Sequence, residues 1–445
     1  MSDDKLLEMR SIDLGIDSLV SIELRTWFAK NLKVNIPVLK IMDNGPTGDL
    51  VLFAVDRVPA ELVPMITDRD LSKISIEQDE SKIKIDWDAE TVPPADLAKL
   101  ASMSTSIARA AAAPSTVVLT GASGFLGSHL LKTLLEQPSI KKIHCLAVRR
   151  LREKLEERLL PQDNRVVYHA GELNQPRLGL SEETATSIFR CADAVIHNGA
   201  DTSHLKSYFD LKPSNIGSTV ELVRLCLPRR VPLHYVSSNA VGHYSDLQYI
   251  GEVAIRSPGA PEPPVDGSSG YRSTKWAAET LLERVHESFR LPIWIHRPST
   301  IIRSGRDAEG LAAQLDWMNA LIWYMDKLSA VPKLNHGTGS LDLVYPRTVC
   351  AGIVSHVTAG ASSAKGTGKV SYVHHMADLL IPLSKLEDFS KDPGRRFRQL
   401  PRADWIAEAV AAGMHPAVVV LIEMVDGPGS KGPPRFVKGP GVKNN

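Results

Sequence analysis

A tyrosine and a lysine four positions apart, Tyr271 and Lys275, are the residues of this sequence best suited to acid–base chemistry. They begin a segment with helical spacing, and a helix would place both side chains on one face, one turn apart. A free tyrosine has a pKa of about 10 and exchanges protons poorly at neutral pH. A neighbouring ammonium favours the phenolate and brings that pKa towards neutrality. The pair alone is weak support, because Tyr-x-x-x-Lys also arises by chance on many helices.

A third group for this chemistry lies upstream, where the apolar segment Leu233–Ser237 runs into a second serine, Ser238. In a parallel sheet, ligands bind at the carboxyl ends of the strands. A hydroxyl at such an end can donate a hydrogen bond to a developing oxyanion. We expect Ser238 to fill this role, with Ser237 as the alternative, although either hydroxyl could simply cap the strand.

A glycine-rich stretch precedes both motifs. Gly121, Gly124 and Gly127 separate the β-branched segment Thr116–Thr120 from a segment with helical spacing that runs to Leu135. This arrangement of strand, turn and helix is typical of dinucleotide binding, in which the three glycines allow the tight turn, the approach of the pyrophosphate and close helix packing. Free N–H groups at the helix start would then hold the phosphates. A plain turn is the alternative, but the flanking strand and helix favour cofactor binding.

The end of the second predicted strand indicates which nicotinamide cofactor would bind. Lys142–Val148 is followed by Arg149 and Arg150, with no carboxylate. An acidic residue at this point binds the ribose 2′-hydroxyl of NAD, whereas arginine suits the 2′-phosphate of NADP. The pair could merely flank a surface helix, but its position favours NADPH.

The elements that must position these groups follow a regular α/β rhythm from residue 115. The predicted strands are Thr116–Thr120, Lys142–Val148, Val166–His169, Ala194–His197, Leu233–Ser237 and Pro292–His296. The predicted helices between them are Leu151–Leu160, Ser181–Phe189, Ile216–Leu227 and Tyr271–Ser288. Such alternation predicts an α/β fold with a doubly wound parallel sheet, the Rossmann arrangement, over 115–300. Residues 301–445, with part of 240–270, are expected to form a mostly helical, loop-rich region that binds the substrate.

The composition excludes several classes of function. A formal net charge of +1 gives neither a basic field for nucleic acid nor a polybasic face for membranes. The four cysteines are widely spaced, which indicates buried thiols in a reducing compartment and no metal site. The N-terminus lacks a signal core, and the apolar segment 409–425 is interrupted and short for a bilayer span. We therefore expect a soluble, cytoplasmic protein, and the oligomeric state stays open.

Residues 1–55 form a separate unit. Leu14–Arg25 reads Leu-Gly-Ile-Asp-Ser-Leu-Val-Ser-Ile-Glu-Leu-Arg, a turn followed by a helical face. It resembles the start of the second helix of an acyl or peptidyl carrier domain, and the resemblance extends to about Leu52. It implies a phosphopantetheine arm on Ser18; the alternative is that Ser18 only caps the helix. The residues before Ser18 are mostly polar and predicted as loop, so the first carrier helix is expected to be missing or badly shortened.

A linker is predicted between this unit and the sheet. Residues 56–114 carry mixed charges, several prolines and an alanine-rich end, with no alternation of strands and helices. Some helical content is expected, and Ala95–Ala113 could form a helix that lies on the following domain.

From about residue 115 to 440 the chain resembles an extended short-chain dehydrogenase/reductase, and specifically a thioester reductase domain of polyketide and nonribosomal peptide assembly lines. The resemblance lies in six motifs in family order: Thr120–Gly127, His197–Asp201, Asn215–Thr219, Tyr235–Ser238, Gly270–Trp276 and His296–Thr300. It implies that Thr120, Ser123, Phe125 and Leu126 join the glycines in the cofactor loop. It also implies that Asn198, Gly199 and Ala200 lie on the adenine side, that Asn215 supports the active-site hydrogen bonds, and that Arg297 and Pro298 lie near the nicotinamide. Relatives often have glycine in place of Ser299, while His243, Trp294 and Tyr345 are expected to be packing residues.

The resemblance implies NADPH-dependent release of a carrier-bound acyl or peptidyl thioester as an aldehyde, with an alcohol after a second round. Tyr271 would donate the proton, Lys275 would lower the pKa of Tyr271 and bind the ribose, and Ser238 would bind the oxyanion. The alternatives are redox-independent Dieckmann cyclisation to a tetramic acid and a non-catalytic NADP-binding scaffold. A sugar-nucleotide epimerase is disfavoured by the carrier-like segment and the long C-terminal region.

Overall fold

The computed structural model describes residues 3–14, 16, 18–34, 36, 38–42, 45–59, 84–103, 114–157, 160–245, 249–256, 260–303, 316–333, 340–360, 369–376, 378–388, 396–415, 418–419, 422 and 435–439. None of the helices in these ranges is both long and apolar enough to cross a membrane.

The N-terminal unit is helical. It contains α1 (Asp3–Glu8), a 3₁₀ turn at Ser11–Leu14, α2 (Ser18–Asn31), α3 (Val38–Ile41) and α4 (Thr47–Val55). A small apolar cluster that includes Ile36, Ile41 and Leu50 holds the helices together, and the Thr47 hydroxyl donates to the Leu6 carbonyl at 2.6 Å. The expectation of a loop before Ser18 is therefore wrong in part: the segment forms a six-residue helix that lies against α4 and is hydrogen-bonded to it through Thr47. That helix is nevertheless short, as predicted.

Two short helices precede the sheet, α5 (Trp87–Glu90) and α6 (Asp96–Ser102). The Trp87 side chain is buried, packs edge-on against Tyr208 and Trp276, and donates its indole N–H to the Pro263 carbonyl at 2.7 Å. The predicted linker thus contains a part that packs firmly on the following domain. The predicted helix at Ala95–Ala113 is described only as far as residue 103.

The central sheet has seven parallel strands. Its strands are β1 (Thr116–Thr120), β2 (Lys142–Val148), β3 (Val166–Ala170), β4 (Ala194–His197), β5 (Leu233–Val236), β7 (Ile293–Pro298) and β11 (Ser371–His375), with β6 (Tyr249–Ile250) outside it. The spatial order β3-β2-β1-β4-β5-β7-β11 places the first strand inside the sheet and winds outwards in both directions, as predicted. The carboxyl ends of the parallel strands β1, β4 and β5 therefore lie along one edge of the sheet. The order of the strands reverses between β1 and β4.

The helices that connect the strands cover both faces of the sheet. They are α7 (Phe125–Leu135), α8 (Leu151–Glu156), α9 (Glu182–Cys191), α10 (Tyr208–Lys212), α11 (Ser218–Cys226) and α12 (Gly270–Phe289). One apolar layer includes Leu222, Leu281 and Val285, and the opposite layer includes Leu130 and Ile353. A π-helical turn at Pro213–Gly217 joins α10 to α11.

The region after residue 300 mixes helices and short strands. It contains β8 (Thr300–Ile301), α13 (Trp317–Leu328), β9 (Ala330–Lys333), β10 (Ser340–Val344), α14 (Pro346–Thr358), β12 (Leu379–Pro382), β13 (Arg398–Pro401), α15 (Arg402–Ala411) and β14 (Arg435–Phe436). Helices contribute more residues than strands, but the short strands were not predicted. The edge strand β11 and the helix α14, which packs on α7, also belong to the Rossmann layer, so that layer is not confined to 115–300.

Candidate active site

The glycine loop lies against the end of β4. Gly121 has a φ of +71°, a left-handed conformation, and a Cβ there would lie 2.7 Å from the Cα of Gly199. A Cβ on Gly127 would lie 1.9 Å from the Gly121 carbonyl oxygen, so the first turn of α7 can approach the loop only without a side chain. α7 begins after Gly124 with no side-chain cap. The loop can therefore present backbone N–H groups to a phosphate, which fits a dinucleotide.

The buried side chain of His197 is linked to the glycine loop through Thr120. His197 Nδ1 lies 2.8 Å from the Thr120 hydroxyl, which in turn accepts the Gly199 backbone N–H at 2.9 Å. Burial, with a contribution from Lys275, lowers the pKa of His197 to about 3, so the ring stays neutral. Asn198 reaches the Gly121 carbonyl at 3.5 Å, while Leu126 packs into the core beneath. Thr120 and Asn198 thus shape the loop.

Three cations gather where β2 ends. Arg149 and Arg150 are exposed, as a contact with a ligand phosphate requires. Lys154, which the sequence reasoning missed, donates to the Ser123 hydroxyl of the glycine loop at 2.9 Å. Burial, followed by repulsion from the two arginines, lowers the pKa of Lys154. Three positive charges this close together favour the binding of an anion between them. Lys154 follows Arg150 by four residues, and this helical spacing is the signal that could have identified it from the sequence.

The Tyr271–Lys275 pair begins α12, and the helix places both side chains at the end of β5. Lys275 is 3% exposed and donates to the Val236 carbonyl at 2.7 Å. Its ammonium nitrogen is 5.9 Å from the centroid of the Tyr271 ring. Burial lowers the pKa of Lys275 to about 7, and Glu279 opposes that decrease.

Ser238 contacts the tyrosine. Burial raises the pKa of Tyr271 to about 12, and a hydrogen bond from the Ser238 side chain opposes the increase. The expected decrease of this pKa towards neutrality is therefore wrong, because burial disfavours the phenolate more than the surrounding groups favour it. Ser238 Oγ also accepts the Ala240 N–H at 3.1 Å, which fixes the serine at the start of a 3₁₀ turn. The neighbouring Ser237 is buried and donates to Glu279 instead. The structure thus brings Ser238, and not Ser237, to the phenol.

Asn215 lies in the π-helical turn beside this group. Its side-chain amide donates to the Asp201 carbonyl and to the Thr274 hydroxyl, both at 3.0 Å, and its oxygen accepts the Asp201 N–H at 2.8 Å. These bonds join the loop after β4 to α12. Asn215 therefore holds α12, which carries Tyr271, against the loop that follows β4.

Arg297 is held by other protein groups. Its guanidinium is buried, donates to Glu279 at 2.6 Å and to the Val253 carbonyl at 2.8 Å, and lies over the Tyr372 ring. Its place near the nicotinamide stays a prediction. Pro298 is the last residue of β7, and the Ser299 hydroxyl beyond it is buried without a partner among the described residues. An orphaned hydroxyl at the carboxyl edge of the sheet suits a polar ligand atom.

The other predicted residues have the following surroundings. The Phe125 ring has the Arg303 guanidinium 3.9 Å from its centroid, and Ala200 is half-buried after β4. Trp294 is buried and stacks on His234, which confirms a packing role. His243 and Tyr345 are half-buried. Ser18 is the first residue of α2, and its side chain lies outside the described part of the chain.

A second residue that the sequence reasoning missed is His204. Its ring packs edge-on against Tyr271, with 5.0 Å between the centroids. Burial, with Arg272 nearby, lowers the pKa of His204 to about 4, so it is neutral at physiological pH. It follows the His197–Asp201 motif in the loop after β4, and proximity to that motif was its only signal.

Comparison with known proteins agrees with this geometry. A family model described as NAD_binding_4, male sterility protein, matches residues 119–353. The highly reducing polyketide synthase calA of Penicillium decumbens is 41% identical over 491 residues, which cover 98% of this chain and 16% of that protein. The polyketide synthase-nonribosomal peptide synthetase phmA of Phaeosphaeria nodorum is 37% identical over 416 residues, which cover 92% and 10%. The chain thus spans a small fraction of the length of these relatives.

Among solved structures, the terminal R domain from the myxalamid PKS-NRPS biosynthetic pathway is similar, with a TM-score of 0.62 and 26% identity. The match covers 80% of this chain and 89% of that one. The chain belongs to the NAD-binding male sterility protein family and is homologous to the reductase domains of polyketide synthase–nonribosomal peptide synthetase hybrids.

Proposed function

We propose that this chain uses NADPH to release a carrier-bound acyl thioester as an aldehyde. The observation that supports the proposal most is that Ser238 neighbours Tyr271 while Lys275 donates to the Val236 carbonyl, so that all three groups lie at the carboxyl end of β5. NADPH, when bound, supplies the hydride. The free N–H groups at the start of α7 would bind its pyrophosphate, and Arg149, Arg150 and Lys154 its 2′-phosphate.

The side chains would handle charge and protons at the thioester carbonyl. As hydride adds to the carbonyl carbon, negative charge develops on the oxygen, and the hydroxyls of Ser238 and Tyr271 would stabilise it. Because burial raises the pKa of Tyr271, the phenol is protonated and can donate. The Lys275 ammonium stabilises the phenolate that remains. The product of this step is a hemithioacetal.

Release requires a second proton transfer. The hemithioacetal hydroxyl returns its proton to the Tyr271 phenolate, and the C–S bond breaks as the carbonyl forms. The leaving thiolate takes up a proton from solvent, which is the one proton that the reduction consumes. The products are an aldehyde and the free thiol of the carrier arm. A second NADPH would reduce the aldehyde to an alcohol by the same groups.

The carrier is the proposed partner. The helical unit before the sheet, with Ser18 at the start of α2, would carry phosphopantetheine or mark where an intact carrier docks. Because the relatives named above include polyketide synthases, an acyl chain of polyketide type is the proposed substrate.

The experiment measures cofactor consumption and product formation in the same reaction. The purified chain is given NADPH and an acyl thioester on a separate intact carrier, and the NADPH oxidised, thiol released and aldehyde formed are measured together. We expect one NADPH oxidised per thiol when reduction stops at the aldehyde. Thiol release with no NADPH oxidation would support Dieckmann cyclisation, and NADPH binding without turnover on any acyl length would support a scaffold.

A further inference from the structure

A buried carboxylate lies one turn beyond the catalytic lysine. Glu279 on α12 is 2% exposed and accepts hydrogen bonds from Ser237 at the end of β5 and from Arg297 on β7. Arg297 is 1% exposed. A buried ion pair of this kind contributes little net stability, because desolvation offsets much of the attraction. Its position beside the catalytic lysine indicates another role.

The surroundings of Lys275 are nearly devoid of compensating charge. The groups that face it from the packed elements are Tyr271 and Glu279 on its own helix, Tyr235 and the Val236 carbonyl on β5, and the neutral His197 on β4. Among the described residues, Glu279 is the only carboxylate whose charge acts on the Lys275 ammonium. Arg297 forms a buried ion pair with that carboxylate at 2.6 Å and neutralises part of its field.

We propose that Glu279 is a positioning residue that keeps Lys275 charged, and that Arg297 limits how strongly it does so. The consequence for the reaction rests on the function proposed above, because only an ammonium form of Lys275 can stabilise the Tyr271 phenolate. Burial lowers the pKa of Lys275 and Glu279 raises it, and the two together leave it at about 7. A modest change in the field of Glu279 therefore changes the fraction of lysine that is charged at neutral pH.

The test compares three variants that differ in charge and distance. Glu279→Gln removes the charge and keeps the shape; Glu279→Asp keeps the charge but moves it away. The matched control is Glu283→Gln, one further turn along α12, where the carboxyl group accepts from Tyr372. The pKa of Lys275 is measured from the ¹³Cε chemical shift of ¹³C-labelled lysine over a pH series, with the signal assigned by Lys275→Arg, because the side chain is too buried for chemical labelling. This readout does not require turnover.

Glu279→Gln should lower the pKa of Lys275 by about one unit, the low end of the effect of a nearby opposite charge, because Arg297 offsets part of it. In the pH profile of kcat/KM, the alkaline limb should move down by the same amount, with near-native activity retained at low pH. Glu279→Asp should cause a smaller shift, and Glu283→Gln none. If the Gln variant does not fold, as judged by its thermal midpoint, the shift in the Asp variant decides.

An unchanged pKa of Lys275 in a folded Glu279→Gln protein would overturn the inference. So would a rate loss that is equal at all pH values, since a purely structural role predicts that pattern. A shift in the titration curve of Lys275 in a protein that never oxidises NADPH would support the inference and refute the proposed function, so the two failures are distinguishable.

Discussion

Lys154 provides a sharp test of cofactor choice. It lies at the edge of the glycine loop, half-buried, with its ammonium 2.9 Å from the Ser123 hydroxyl and within the repulsive field of Arg149 and Arg150. Lys154→Met keeps the apolar stem and removes the charge. A hydrogen bond to a charged group contributes about 1.5–3 kcal/mol. Because this site is partly open to solvent, screening reduces that to about 1–1.5 kcal/mol, or roughly a 5- to 12-fold change in Kd.

The assay is a fluorescence titration of the purified chain with NADPH and, separately, with NADH. Lys154→Met should weaken NADPH about tenfold, leave NADH within about twofold, and make the affinity for NADPH less dependent on salt. Lys142→Met, at the opposite end of β2, is the matched control and should change neither. Equal losses for both cofactors would show that Lys154 only supports the loop. No loss for NADPH would refute the placement of its 2′-phosphate among these three cations.

Three further predictions concern the loop, the pH profile and the segment before the sheet. Gly127→Ala places a Cβ 1.9 Å from a backbone oxygen and should weaken NADPH at least about tenfold in the same titration, whereas Gly217→Ala, with 3.9 Å of space, should not. Lys275 is charged below its pKa of about 7 and neutral above it, so kcat/KM should fall as the pH rises through that value; a rate that rises there would contradict the assigned role. Trp87→Ala should lower the free energy of unfolding by about 3–5 kcal/mol in urea titrations, because the side chain is buried. The control Trp27→Ala, at an exposed position, should lower it by about 0.5 kcal/mol. A loss for Trp87→Ala no larger than that of the control would show that the segment around Trp87 is not part of the fold.

The sequence predicted the sheet well because each inner strand is a short apolar run bounded by turns, and a run buried on both faces is recognisable without its neighbours. The predicted strands β1, β2 and β4 match the structure residue for residue. The edge strand β11 was missed because its sequence, Ser-Tyr-Val-His-His, is as polar as a loop. Its histidines are buried through contacts with distant segments, among them His296 on β7 and Phe436 on β14, which no local pattern reveals.

The sequence indicated the Tyr271–Lys275 pair and the glycine loop because the spacing of their residues is typical of the chemistry proposed for them. The choice between Ser237 and Ser238 depended on which way each side chain points, and the structure directs Ser237 to Glu279 and Ser238 to Tyr271. Arg297 was expected near the nicotinamide because the resemblance to thioester reductase domains implies it. A sequence cannot show that a buried carboxylate on another element will bind its guanidinium.

The measurement that tests the central claim most directly compares NADPH oxidation by the native chain with that of Tyr271→Phe, using an acyl thioester on an intact carrier. The exposed Tyr249→Phe is the matched control. With the phenol removed, the proton donor is lost while NADPH binding is retained, so turnover should fall at least about a hundredfold and the control should be unchanged. Comparable rates for the native chain and Tyr271→Phe would contradict the assignment of Tyr271 as the acid.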